Sequence, residues 1–246
     1  MSSTSETGHV KIETTFFDLK TFCTGYGVNY DPSNPAITVA ALTTAHAVAK
    51  DDIQKVKIAK VPFDNAEGER FLTFKPLKSL ASRIVSALKG VNAPSTVIKD
   101  AQTILRKMQG KKAPSTPAAP PALPGIPEVD PVSVSQQSYD MQLDHFKKLV
   151  LLVEGEPLYN PNEVPLKTVT LNTFIADLEA KNQAVIVAYV PYSNAMMERN
   201  ISLYAPETGL IDLAQDVKNY VKSAFGATSP EFLQIKGLRF PYPHLR

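Results

Sequence analysis

One cysteine, Cys23, stands among 246 residues. A single thiol closes no internal disulfide and supplies no cysteine-based zinc site. Histidine is nearly as scarce. His9, His46, His145 and His244 have neither H-x-x-x-H nor E-x-x-H spacing, so the ligands of a helical-bundle di-metal centre are missing and no metal or cofactor is expected. His46 lies on an apolar stripe and reads as a hydrogen-bonded core residue. No G-x-G-x-x-G, P-loop, G-x-S-x-G or clustered-carboxylate pattern occurs, and Cys23 with no histidine near it in sequence is a poor nucleophile. An enzyme is unsupported by any recognisable catalytic set.

Long apolar runs are also absent. No stretch approaches eighteen uninterrupted apolar residues, so no membrane span is expected, and the polar start "MSSTSETGHVKIETT" lacks the apolar segment of a secretory signal. A cytoplasmic location follows as the expectation. A formal charge of +2, with 20% charged residues, leaves no overall field to attract nucleic acid or an acidic membrane. With 43% apolar residues the chain has enough to bury a substantial core.

What is present is a repeat. "VPFDNAEGER" at 61–70 returns as "VPYSNAMMER" at 190–199, and the same shift of 129 places Phe17 over Phe146, Tyr30 over Tyr159, Leu42 over Leu171 and Val56 over Val185. Conservative pairs such as Phe63 over Tyr192 and Leu72 over Ile201 fill the gaps. After residue 76 the shift becomes 133, because "PETG" at 206–209 adds four residues. Four is close to one helical turn, so a longer corner is expected in the second copy rather than a disrupted helix. Two homologous helical units, 1–112 and 132–246, are therefore expected, packed together as one bundle. Between them "APSTPAAPPALPGIPEVDP", 113–131, is a proline-rich linker without apolar periodicity. As polyproline II at about 3.1 Å per residue it reaches roughly 60 Å, enough to run the length of a bundle. Its P-x-x-P spacings also suit an SH3-like partner, although a spacer needs none.

Within each copy the apolar period is helical. Val39, Leu42, His46, Ala49, Ile53, Val56, Phe63, Ala66, Phe74 and Leu77 keep spacings of three, four, seven or eight, as do Leu171, Ile175, Leu178, Val185, Tyr192, Ala195 and Leu203. The stripe keeps phase through Pro62 and Pro191, so one long helix is expected at 36–75 and another at 165–204, each kinked at its proline hinge. The alternative is a break, with Asp64 or Ser193 as N-cap. Shorter helices are expected at 77–89, ending at Gly90, and at 95–108, with Ser95 or Thr96 as cap and Gly110 as stop. The second copy offers 210–225 and a short helix capped by Thr228 or Ser229, with Pro230 at its first turn and Gly237 after it. A weak helical segment at 14–24 and a strong one at 134–153 precede the long helices. Each leads into a Tyr-x-Pro connector whose tyrosine is expected to pack under the corner.

"GVNYDPSNP", "LYNPNEVPL", the doubled "NA" with "ER", and "FGATSPEFLQIKGLRF" together resemble an uncharacterised family of tandem-repeat helical proteins encoded widely in Bacteroidetes-type bacteria. The resemblance covers nearly the whole chain. It implies a helical architecture and carries no activity, cofactor or site residue.

The sharpest polar feature is the pair Glu69–Arg70, repeated as Glu198–Arg199 near the apolar stripe. Two readings apply: an anion or small-ligand site using the planar guanidinium fork, or a packing pair that fixes one helix on another. The tail "IKGLRFPYPHLR" interleaves Lys236, Arg239 and Arg246 with Phe240 and Tyr242. It reads as a strap on its own bundle or as a nucleic-acid or groove-binding segment. "KKLVLLVEGEPL" reads as core rather than a membrane-surface helix. The functional expectation is an all-α, non-enzymatic scaffold or protein-interaction protein with a protein partner; the alternative is a small-ligand or anion-binding bundle using Arg70 and Arg199.

Overall fold

A computed structural model of the chain describes residues 4–111 and 137–240. Among them the fold is all-α, with no strand. The helices are α1 (Thr4–Gly25), α2 (Val39–Phe74), α3 (Leu77–Gly90), α4 (Ser95–Met108), α5 (Tyr139–Glu154), α6 (Thr168–Tyr204), α7 (Leu210–Phe225) and α8 (Pro230–Lys236). No described helix is long and apolar enough to cross a membrane. The proline-rich stretch 113–131 lies outside the described residues, as do Tyr242, His244 and Arg246.

Both long helices run unbroken through their prolines, so neither Asp64 nor Ser193 starts a helix. Proline offers no N–H to the carbonyl four residues earlier, that of Ile58 or Val187. Both of those residues are exposed, so water can satisfy the freed carbonyls where a buried site could not. The expected inward stripe is the buried one: Leu42, His46, Ala49, Ile53 and Val56 on α2, and Leu171, Leu178, Val185, Ala195 and Leu203 on α6.

Helix ends follow local chemistry with some departures. Ser138 accepts a hydrogen bond from the Met141 amide and Ser229 from that of Phe232, and Pro230 stands in the first turn of α8. On α4 no side chain caps the start. Pro94 occupies the N-cap, and Ser95 is already helical. Gly90 is the last helical residue of α3 rather than its stop. Asn92, at φ 54°, makes the left-handed turn, and the Ala93 amide donates to the Leu88 carbonyl. Helix α1 starts ten residues before the expected 14–24, because Ile12, Phe16, Leu19 and Cys23 form a continuous buried face at helical spacing. The "PETG" insertion forms the corner between α6 and α7. A side chain on Gly209 would lie 2.7 Å from the Ala205 amide nitrogen, so only glycine fits.

The two connector tyrosines do the same work. Tyr30 Oη donates to the Ile37 carbonyl at 2.7 Å, and Tyr159 Oη to the Leu166 carbonyl at 2.9 Å. Both rings are buried under the turn that starts a long helix. Burial raises the Tyr30 phenol above its ordinary range and pushes that of Tyr159 up to about 12, so each stays a donor.

Contacts divide the chain into two compact units: residues up to Phe63 together with those from Ala188 on, and Asp64–Val187. These units cut across the expected division at 112 and 132. The first packs α1 on α7 and α8, around Phe16, Leu19, Leu42, Leu213 and Val217. The second packs α5 on α3 and α4, around Leu77, Ile84, Met108, Phe146 and Leu149. Each unit thus combines helices from both copies of the sequence. Length supplies a reason: helices of 36 and 37 residues are about 54 Å long, well beyond the roughly 30 Å of a small domain. Burying any of the fully buried leucines or phenylalanines contributes about 1.5–3 kcal/mol, and truncating Phe16 or Phe146 to alanine would cost about 3–5 kcal/mol.

Described residues on either side of 112–136 meet in the second unit. Gln137 Nε2 donates to the Lys107 carbonyl at 2.9 Å, and Lys78 Nζ donates to Gln137 Oε1 at 2.8 Å.

Candidate interaction surface

The duplicated Glu–Arg pairs are engaged within the protein. In the second unit, the Arg70 guanidinium lies over the Tyr139 ring, 4.3 Å from its centroid, and 3.6 Å from the Glu67 carboxylate. Its Nε is buried without a hydrogen-bond partner. Glu69 pairs with Lys181 at 3.0 Å. In the first unit Arg199 is 5% exposed, and its Nε and Nη2 donate to Asn200 Oδ1 at 3.2 and 2.9 Å. Glu198 stands 3.8 Å from Lys55, which itself binds Asp51 and Asp52 at 3.0 Å. Arg70 lies near Glu67 while Glu69 pairs with Lys181, so these two neighbours, which point in different directions on the helix, use separate partners.

The buried histidines are likewise part of the packing. His46 Nε2 lies 2.6 Å from Glu13 Oε1, with the ring 5.4 Å from that of Phe17, and His9 meets the Tyr204 ring edge-on at 5.9 Å. Among the described residues no group of three histidine, cysteine, aspartate or glutamate side chains is placed to hold a metal. Cys23 is fully buried, and burial pushes its thiol up to about 11, the opposite of what a nucleophile needs.

An open cavity of about 510 Å³ lies in the first unit between α1 and α2, lined by Val10, Glu13, Lys50, Asp51, Gln54 and Lys57 among others. Its charges are mixed in sign. The described part of the C-terminal segment packs as a strap. Phe240 meets Phe16 edge-on at 6.4 Å, and Lys218 lies over the Phe240 ring and donates to the Leu238 carbonyl. In α5, Leu149, Val150 and Val153 are buried, as core rather than as a membrane-facing surface.

The outward face of α6 is the feature sequence reading missed. Val190, Met197 and Ile201 in the first unit are 50%, 55% and 64% exposed. At about 100° per residue these three fall within roughly a 40° arc, with Ser193 beside them. The aligned positions on α2 are Val61, Asp64, Gly68 and Leu72, of which Val61 and Leu72 are exposed as well. Met197 thus adds a large apolar side chain where α2 has a glycine. A comparison of the two aligned helices, position by position along their outward faces, was the signal available in the sequence.

No family model matches the chain, and no curated protein or solved structure is similar to it.

Proposed function

We propose that the chain is a non-enzymatic scaffold that works through protein–protein contact, with the outward face of α6 as its docking surface. The observation that carries this reading is the group Val190, Met197 and Ile201, each half or more exposed on one face of α6 in the first unit. Apolar side chains grouped on a solvated helix face mark interaction sites. The test is an affinity capture that compares the full chain with a Val190→Glu, Met197→Glu variant of unchanged helical circular dichroism. Proteins retained by the first and lost by the second support the reading. Identical capture removes α6 from the role.

The Arg70 Nε supports a second reading, an anion-binding bundle, because a buried guanidinium nitrogen without a partner is the atom an anion would use. The Tyr139 ring and the Glu67 carboxylate already flank that guanidinium, which favours packing. Replacing Arg70 and Arg199 by methionine separates the two readings. A scaffold stays folded and keeps its partners, whereas an anion-binding protein loses the ligand.

A further inference from the structure

We infer that the groove between α3 and the turn before α6 binds a free aromatic α-amino acid, with its ring in the place that Tyr220 takes in the first unit, its carboxylate at Arg83 and its ammonium at Glu163. This site lies in the second unit and is independent of the α6 face. Aligned corners of the two units differ there. In the first unit α7 packs on the turn Pro35–Ile37, and in the second α3 packs on Val164–Leu166. Tyr220 of α7 lies edge-on to Tyr30 with ring centroids 5.2 Å apart, and its hydroxyl accepts a hydrogen bond from the Asp31 amide at 3.0 Å. The shift of 133 that aligns α3 with α7 puts Ala87 where Tyr220 stands, while Tyr159 and Asn160 take the places of Tyr30 and Asp31. The Asn160 amide donates to the Leu158 carbonyl at 3.1 Å instead. With alanine at the tyrosine position, the second corner keeps an open groove of about 540 Å³, lined by Ala87, Pro161 and Leu166 among others. That volume suits a small molecule.

Charges along the groove name the ligand. Ser79, Arg83 and Ser86 share the face of α3 that lines it, at i, i+4 and i+7, and Glu163 lines it from the connector. Among the described residues neither the Arg83 guanidinium nor the Glu163 carboxylate has a hydrogen-bond or ion-pair partner. The Ser82 and Ser86 hydroxyls donate to the carbonyls of Lys78 and Ser82, which leaves the Ser79 hydroxyl to join Arg83 on a carboxylate. A guanidinium fork matches that group with two parallel N–H donors. A simple carboxylate would bring a like charge to Glu163, and a simple amine would bring one to Arg83. An α-amino acid carries both charges on one carbon and offers its side chain as a third point of contact. An aromatic side chain fits the opening left where alanine replaces the aligned tyrosine. At the filled corner of the first unit, the positions of Arg83 and Glu163 are held by Asp216 and Asn34, so the pair of opposite charges occurs only where the ring is missing.

The experiment titrates the full isotope-labelled chain with L-phenylalanine and follows backbone amide resonances. Saturable shifts are expected at Arg83, Ala87 and Glu163. Phenylpropionate, which lacks the ammonium, and phenylethylamine, which lacks the carboxylate, should each bind about tenfold more weakly, the loss of one charge-assisted contact. Arg83→Gln should weaken phenylalanine by a similar factor and leave phenylethylamine unaffected, whereas Glu163→Gln should spare phenylpropionate. Ala87→Tyr gives the second corner the ring of the first and should abolish binding. The absence of shifts at millimolar phenylalanine overturns the site. Phenylpropionate binding as tightly as phenylalanine overturns the amino acid as ligand. Unchanged affinity in Ala87→Tyr overturns the placement of the ring; where that variant does not fold, unchanged affinity in Arg83→Gln, a substitution at an exposed side chain, overturns the site on its own.

Discussion

Phe63 and Tyr192, the aromatic residues that align in the two decapeptides, stack on one another with ring centroids 5.5 Å apart and planes 19° from parallel. Tyr189 joins them, 5.5 Å from Phe63. Equivalent positions of α2 and α6 thus meet within the first unit, one residue after each proline. The stack should contribute about 0.5–1.5 kcal/mol beyond its buried area. A double-mutant cycle on Phe63→Ala and Tyr192→Ala, read by urea unfolding, is expected to show coupling of that size. Strict additivity would mean that the rings are neighbours without mutual stabilisation.

The Gln137–Lys107 hydrogen bond joins described residues on either side of 112–136. Connecting α4 to α5 therefore needs only a short chain. Replacing residues 113–135 with about eight glycine and serine residues, a root-mean-square reach of roughly 16 Å, should leave helical content unchanged and midpoint stability within about 1 kcal/mol. Cutting the intact protein inside the segment should leave both fragments together on size-exclusion chromatography. Each unit takes helices from both sides of the cut. Fragments that separate and stay folded would show that the sequence copies are independent after all.

Much of this architecture was legible because helices announce their buried faces. The stripe from Leu42 to Phe74 named the inward residues of α2, and its phase through Pro62 correctly implied one helix. The exchange of halves was not legible, because aligning Phe17 with Phe146 shows that two positions are equivalent but not which copy's helices each packs against. The meeting of Lys107 with Gln137 was hidden for a related reason: residue count and proline content bound a segment's reach without fixing which residues it brings together. Glu69, Arg70, Glu198 and Arg199 stood out as repeated polar residues, and the structure spends them on local contacts. The α6 face was overlooked because Val190, Met197 and Ile201 lie off the inward stripe, where solvent exposure is the ordinary expectation. Helical phase sets Val190 and Met197 apart from the buried Val185 and Ala195, and the structure shows them exposed.

Proline within a helix costs about 3 kcal/mol relative to alanine, through a lost hydrogen bond and a steric clash. At Pro62 and Pro191 the affected face is exposed and the helix continues on both sides. Pro62→Ala and Pro191→Ala are each expected to raise stability by about 1–3 kcal/mol, measured as a shift in urea midpoint at unchanged slope. A loss at either site would show that the proline sets an angle the packing requires. Combining Pro62→Ala with Phe63→Ala tests the origin of such a loss: if the proline acts by placing the ring, the two losses will not add.

His145 is buried on α5, and burial holds its imidazole below the ordinary value of 6.5, with Lys107 and Lys148 adding to the shift and Asp144 opposing it. The folded protein therefore takes up this proton less readily than the unfolded chain. Where the unfolded state binds more protons, stability rises with pH. The contribution of a neutral His145 is full above the ordinary imidazole range, declines as pH falls through 6.5, and levels off once the folded form is also protonated. Glutamine keeps polarity at this position without a titrating ring. Urea midpoints for the native chain and His145→Gln, measured from pH 8 to pH 5, should therefore converge as pH falls, with the native chain losing more stability over that interval. Parallel curves would show that the imidazole is protonated alike in both states, and that burial at this end of α5 is relieved by water reaching the ring.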